Sequence, residues 1–208
     1  MPAVPIDRLG ADALRERFRR PPPWAPEVVD DRWRLADDAP RPAAVLIPLV
    51  PRPEGLGVLL TERTAHLTAH AGQVAFPGGR TEPSDGSPVN TALRETEEEI
   101  GLPRVQVEIL GTMPTYLTGS GYIVTPVVGL VDPVHELHPD RNEVAEIFEV
   151  PLSFLMNPAN HQVRLYRWVD GAERSFFAMP WARPDGREHF IWGVTAAMLR
   201  NLYRFLAA

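Results

Sequence analysis

One stretch constrains this chain more than any other: residues 87–100 read as a helix. Ser87 suits an N-cap, Pro88 fits the first turn, and Gly101 followed by Pro103 stops it. Around this helix the apolar runs have strand length. Residues 43–50 and 57–63 are joined by turn-forming PRPEGL and read as a hairpin. Residues 73–76 form a short extended piece that ends in a loop at Pro77-Gly78-Gly79. Further strands are expected at 105–112, 122–131, 143–150, 163–169 and 175–178. Residues 192–206 read as a closing amphipathic helix, with Trp192 opening it as a core residue. At the start, residues 7–20 read as a short charged helix with Leu9, Leu14 and Phe18 on one side. A proline- and aspartate-rich stretch follows to Pro42, without periodicity, as an irregular arm over the core. This pattern predicts an α+β fold of mixed β-sheets, with a central helix and a C-terminal helix. No linker divides it, so the expected organisation is an N-terminal helix and arm over 1–42 and one domain over 43–208.

The polar composition excludes several chemistries. There is no cysteine, hence no disulfide, thiol nucleophile, iron–sulfur cluster or Cys-type zinc site. All 21 basic residues are arginine, hence no lysine Schiff base and no Walker-type phosphate lysine. A phosphate would have to be gripped by Arg, His, backbone N–H groups or metal ions. The net charge of −6 argues against nucleic acid as a partner. It still allows an anionic substrate, because a divalent cation inverts the local sign. No apolar run approaches the ~20 residues of a membrane span, and the first residues lack a secretory pattern, so no membrane partner is expected and cytoplasm is the default. A homodimer is compatible with the sequence.

The chemistry concentrates on the central helix, in Arg94-Glu95-Thr96-Glu97-Glu98-Glu99-Ile100-Gly101. Glu95 and Glu99 share one face and Glu98 flanks them, whereas Glu97 points elsewhere. Like charges at this spacing repel, and they lie in the last turns, where the helix dipole favours cations. A hard divalent cation, Mg²⁺ or Mn²⁺, would repair the conflict. The two glycines before the helix allow close backbone approach to such an ion or its ligand.

Together these residues resemble the Nudix signature: a glycine, an acidic residue after a short loop, then Arg-Glu, Glu-Glu and Gly with an apolar neighbour. The match is close from Arg94 to Leu102. Upstream, counting from Gly79, the acidic position falls on Asp85, the loop to Arg94 is one residue longer, and Thr96 replaces an aliphatic residue. Both loop features are similar to those of the coenzyme A pyrophosphatases within that family. So are Leu59-Leu60-Thr61-Glu62-Arg63, the run from Gly72 to Gly79, and Thr91-Ala92-Leu93-Arg94-Glu95. Gly121-Tyr122, Asn142-Glu143-Val144 and 191–196 extend the resemblance over roughly residues 43–200. Thr68 stands where that subfamily's marker usually carries Arg, and Thr64 where it carries Ser or Ala.

The resemblance implies a Nudix-like fold with a metal-binding central helix. It implies hydrolysis of the diphosphate of coenzyme A, and of acyl-coenzyme A, to 4′-phosphopantetheine and adenosine 3′,5′-bisphosphate. Glu95 and Glu99 are then the principal Mg²⁺ or Mn²⁺ ligands, with Glu98 as a further ligand or water-orienting base and a backbone carbonyl at Gly78 or Gly79 completing a shell. Arg94 orients the glutamates. Glu143 is a late metal ligand or base. Arg63, His70 and Gln73 face a coenzyme A-type small-molecule substrate. The other histidines, His66, His135, His138, His161 and His189, have no metal-ligand spacing and read as structural or surface residues. Two alternatives stay open. One is a Nudix hydrolase of ADP-ribose, dinucleotides or nucleoside triphosphates. The other is a non-catalytic Nudix binding module, against which the intact glutamate set argues.

Overall fold

The computed structural model describes residues 2–30, 39–65, 72–132, 136–167, 171, 173–183 and 185–208. His66, Thr68, His70 and His135 lie outside the described residues.

The frame is an eight-stranded mixed sheet. β1 (Arg41–Arg52) and β2 (Gly55–Arg63) form the expected hairpin, with Leu49 opposite Val58. β7 (Tyr122–Val131) lies parallel to β1 on its other side, and β5 (Val107–Thr112) pairs antiparallel with β7. Beyond β2 lie β3 (Val74–Ala75) and β8 (Val144–Pro151), both antiparallel to it. Short β4 (Gly78–Arg80) pairs with β1, and short β6 (Tyr116–Leu117) with β7. A second sheet of three antiparallel strands runs β11 (Glu188–Trp192), β10 (Glu173–Ala182), β9 (Gln162–Arg167).

Alternation along the strands builds a core on each face of the large sheet. Ala44, Leu46 and Leu59 turn toward α2 (Pro88–Ile100), whose Ala92 and Ile100 are fully buried against them. Ile47, Val58 and Leu60 turn the other way. There they meet α1 (Ala11–Arg19), the second sheet, the short α3 (Leu152–Leu155) and α4 (Gly193–Ala207). Phe18 of α1 sits against Phe205 of α4 with ring centroids 4.8 Å apart. The described part of the arm is irregular. It is pinned where Glu27 and Val28 donate their amides to the Asn201 side chain.

Five expectations need correction. Residues 7–20 do not form one helix: Ile6–Arg8 make a 3-10 turn and α1 begins only after Gly10, whose backbone is extended. Pro77-Gly78-Gly79 is not only loop: Gly78–Arg80 is drawn into β4, because its backbone groups pair with β1 at Ala43–Val45. Residues 104–106 form a 3-10 turn, with Val105 92% exposed, so the fifth strand starts at Val107. β11 was not expected; its burial alternates strictly, with His189 and Ile191 inside. Trp192 therefore ends a strand and leaves 37% of its surface exposed, against the edge of Phe176, instead of opening a helix in the core.

Candidate active site

The helix α2 carries the site, and its ends are set as the sequence predicts. Ser87 accepts a hydrogen bond from the Asn90 amide, and Gly101 takes the left-handed conformation at φ 69°. Thr96 tolerates full burial because its hydroxyl donates to the Ala92 carbonyl one turn back at 2.6 Å. That bond lets a polar residue occupy an apolar position.

Asp85 anchors the loop before α2. It is buried, accepts from the Glu82 amide at 2.9 Å and the Thr91 hydroxyl at 2.9 Å, and receives Arg94 through Nε at 2.8 Å and Nη2 at 3.0 Å. The Arg94 guanidinium, then the Glu82 amide, hold its carboxyl well below the usual range. From that anchor Arg94 reaches Glu95 at 3.0 Å and Glu98 at 3.1 Å. One arginine thus ties the loop to two glutamates of the helix. Glu98 itself stays 60% exposed.

Glu99 points inward. It is buried, accepts from the Gly78 amide at 3.0 Å, and lies 3.8 Å from Arg63. Burial raises its carboxyl to about 7, offset in part by that amide and by Arg63 and reinforced by Glu143 and Glu95. Burial likewise raises Glu95, with Glu98 and Glu143 adding to it. Glu95, Glu99 and Glu143 therefore converge closely enough to repel one another. Glu143 approaches the other side of Arg63, at 3.9 Å. It is steadied from just past β2, where the Thr64 amide donates to the Glu143 carbonyl at 2.9 Å and the Thr64 hydroxyl to that of Asn142 at 3.0 Å.

The glycines before the helix matter for space. Gly78 has φ 149°, and a Cβ there would lie 2.4 Å from the Ala44 carbonyl oxygen. A Cβ on Gly79 would lie 2.5 Å from a carboxylate oxygen of Glu95. At Gly78 it is the amide, not the carbonyl, that touches a carboxylate.

The structure thus brings together Arg94, Glu95, Glu98, Glu99, Glu143, Arg63 and Gly79. Gln73 stands beside Arg63 through its backbone carbonyl, which accepts the Arg63 amide at 3.0 Å. The ring of Tyr122 is covered by Arg41 at 4.3 Å.

Sequence reasoning missed one cluster. Glu62, Glu146 and His189 bring a ligand atom each within 4.8 Å of one another. His189 Nδ1 faces Glu62 at 3.2 Å, and its ring stacks on Phe148 at 3.6 Å. The cluster already holds a cation, because Arg183 bonds Glu146 and lies 3.4 Å from His189 Nε2. No spacing rule reveals it, since His189 lies far along the chain from both glutamates.

These features define a helix-borne carboxylate centre of the kind that holds divalent metal ions. The NUDIX domain model matches residues 40–171, and the chain belongs to the Nudix hydrolase family. Relatives named "Uncharacterized Nudix hydrolase NudL" include those of Escherichia coli K12 and Yersinia enterocolitica. The first is 42% identical over 163 residues, which cover 78% of this chain and 81% of that protein. The second is 44% identical over 163 residues, covering 77% and 78%. A solved Nudix hydrolase of M. smegmatis, RenU, is 28% identical with a TM-score of 0.47, covering 55% of this chain and 73% of that one. Nudix enzymes generally use divalent metals. Among the described residues, no helix is long and apolar enough to cross a membrane.

Proposed function

We propose that this Nudix hydrolase cleaves the diphosphate bond of coenzyme A, and of acyl-coenzyme A, to 4′-phosphopantetheine and adenosine 3′,5′-bisphosphate. The observation that carries the hydrolytic reading is the state of Glu99. It is a buried carboxylate, held toward its protonated form, inside a ring of Glu95, Glu143 and Arg63. Such a carboxylate wants either a proton or a cation. The oxygen-only donor set and the space kept open by Gly79 fit Mg²⁺ or Mn²⁺. When bound, the metal supplies charge neutralisation at the phosphates and a lowered pKa for bound water.

Residues of the chain do the rest. Glu95 and Glu99 would hold the metal, with Glu98 as a further ligand or water-orienting base. Arg94, fixed by Asp85, keeps Glu95 and Glu98 from turning away. Glu143 stands half exposed beside Arg63, which supports a role for it as acceptor of a proton from the attacking water. Arg63 offers its guanidinium between Glu99 and Glu143, where a bridging phosphate oxygen would bring it extra charge. Gln73 and His70 are assigned to substrate contact from the resemblance alone, and His70 lies outside the described residues.

The coenzyme A assignment is supported by the marker residues 59–63 and 72–79, by Asp85 in the acidic position, and by the longer loop that Asp85 closes. Product analysis tests it. Purified protein with Mg²⁺ or Mn²⁺ is offered coenzyme A, ADP-ribose, NADH and a nucleoside triphosphate in parallel, beside Glu99→Gln. Adenosine 3′,5′-bisphosphate as the preferred product, absent with Glu99→Gln, supports the reading. Preferred turnover of another diphosphate overturns the coenzyme A assignment and leaves the metal centre standing.

A further inference from the structure

Glu62 on β2 and Glu146 on β8 are direct cross-strand partners. Two carboxylates facing each other across a ladder repel and weaken the pairing. This pair is also the last in regular register: immediately beyond it the ladder shifts, and Arg63 pairs with Val144. Ala145 is the extra residue. A bulge of this kind re-aims side chains. The bulge lies in β8 and bends the strand that leads back to Glu143, while ordinary alternation along β2 sets Arg63 on the opposite face from Glu62, toward Glu99 and Glu143. The next residue, Thr64, then holds the Asn142-Glu143 backbone.

The repulsion at the bulge is relieved from elsewhere in the chain. Arg183, just past β10, binds Glu146. His189, on β11, binds Glu62 and is buried. With Nε2 facing the Arg183 guanidinium, Nδ1 is left to donate to Glu62. Both residues come from one hairpin that lies beyond the segment matched by the NUDIX domain model. Nearby, Thr195 at the start of α4 donates to the Val74 carbonyl at 3.0 Å, fastening β3 to the same C-terminal unit.

We propose that the β10–β11 hairpin is a clamp for the active site. Arg183 and His189 are positioning residues, which hold the Glu62/Glu146 pair at the bulge and so fix Arg63 and Glu143 around Glu99. The proposal rests on the metal-centre reading above but not on the identity of the substrate.

The test is Mn²⁺ binding by isothermal titration calorimetry together with the Mg²⁺ dependence of hydrolysis. The chains compared are wild type, Glu99→Gln, Arg183→Met, Arg183→Lys and the double variant Arg183→Met/Glu146→Gln. Arg183→Met leaves both carboxylates opposed without a cation. It should weaken Mn²⁺ binding by about tenfold, the low end of what loss of a group supporting metal ligands costs. Removing one of the two charges in the double variant should recover most of that loss, and Arg183→Lys should stay near wild type. Arg183→Gln keeps an N–H toward Glu146 and replaces Arg183→Met if the latter does not fold. A merely structural role would lower the melting temperature without moving metal affinity. Wild-type affinity in Arg183→Met, or a double variant as weak as the single, would overturn the clamp alone. Absence of Glu99-dependent Mn²⁺ binding in the wild type would instead overturn the metal centre and the clamp with it.

Discussion

Arg94 closes on Asp85 through two hydrogen bonds, at 2.8 and 3.0 Å, and reaches Glu95 and Glu98 with its remaining nitrogen. The pair does for the loop what a backbone turn alone could not. It fixes a longer connection at a buried carboxylate and points the rest of the guanidinium at the helix. Replacing Asp85 by Asn keeps the shape but removes the charge that holds Arg94. Arg94 should then collapse onto Glu95 and Glu98 and compete with the metal. The expected outcome for Asp85→Asn is a loss of metal affinity or activity of about 10- to 100-fold. Mg²⁺ titrations of the hydrolysis rate check it. An unchanged activation curve would mean that Arg94 is set by the helix alone.

Glu99 gives the metal-free protein an unusual pH dependence. Its carboxyl rises from 4.5 to about 7 on folding, through burial first of all. Between those values the folded state keeps a proton that the unfolded state has lost. Stability of the metal-free protein should therefore fall as pH rises from 4.5 to about 7 and stay low above it. The size is on the order of 3 kcal/mol. Melting curves in EDTA across this range measure it. Mg²⁺ should restore stability near neutral pH, and Glu99→Gln should flatten the EDTA profile. A profile that rises with pH in the wild type would sink the argument.

Gly79 tests the site without threatening the fold. The atom that its missing Cβ would strike is the end of a flexible side chain, the Glu95 carboxylate, at 2.5 Å. Gly79→Ala should therefore displace Glu95 instead of breaking β4. A modest melting shift, about 1 kcal/mol, is expected beside a loss of metal affinity of about tenfold or more. Gly78→Ala differs, because its Cβ would meet backbone of β1 at a φ that side chains rarely adopt, and it should compromise folding.

Local chemistry explains what was legible in the sequence. The bounds of α2 follow from Ser87, Pro88 and Gly101, each of which acts within one turn. β7 and the β1–β2 hairpin follow from long apolar runs and their turns. β4 was hidden because Gly78 and Gly79 have no strand preference and are ordered by pairing with β1. β11 carried no readable alternation, because Phe190, Ile191 and Trp192 are all apolar; its alternating burial, with His189 inside and Phe190 outside, is set by packing. In the site, the Glu95–Glu99 face and the reach of Arg94 to Glu98 follow from helical spacing and motif, whereas the anchoring of Arg94 on Asp85 does not. The contact of Gly78 with Glu99 and that of His189 with Glu62 depend on how separate elements pack, which no local pattern records.

Thr64 offers the last prediction, which separates support of Glu143 from general stability. Its hydroxyl donates to the Asn142 carbonyl and its amide to that of Glu143, so Glu143 is held just past the end of β2 by two adjacent bonds. Thr64 is buried, so Thr64→Val keeps the volume while leaving the Asn142 carbonyl without this donor. Such a loss costs about 1–3 kcal/mol. If Glu143 accepts the proton of the attacking water, loosening its segment should lower kcat by roughly tenfold, the equivalent of about 1.4 kcal/mol in the barrier. KM should change little, since the substrate contact proposed above is assigned to Arg63 and not to Glu143. Thr64→Ser keeps the hydroxyl and should retain most of the activity, although its packing differs. Steady-state kinetics of the two variants, each beside its melting curve, decide the matter. If Thr64→Val loses stability but keeps kcat, Glu143 does not depend on this tether for its role.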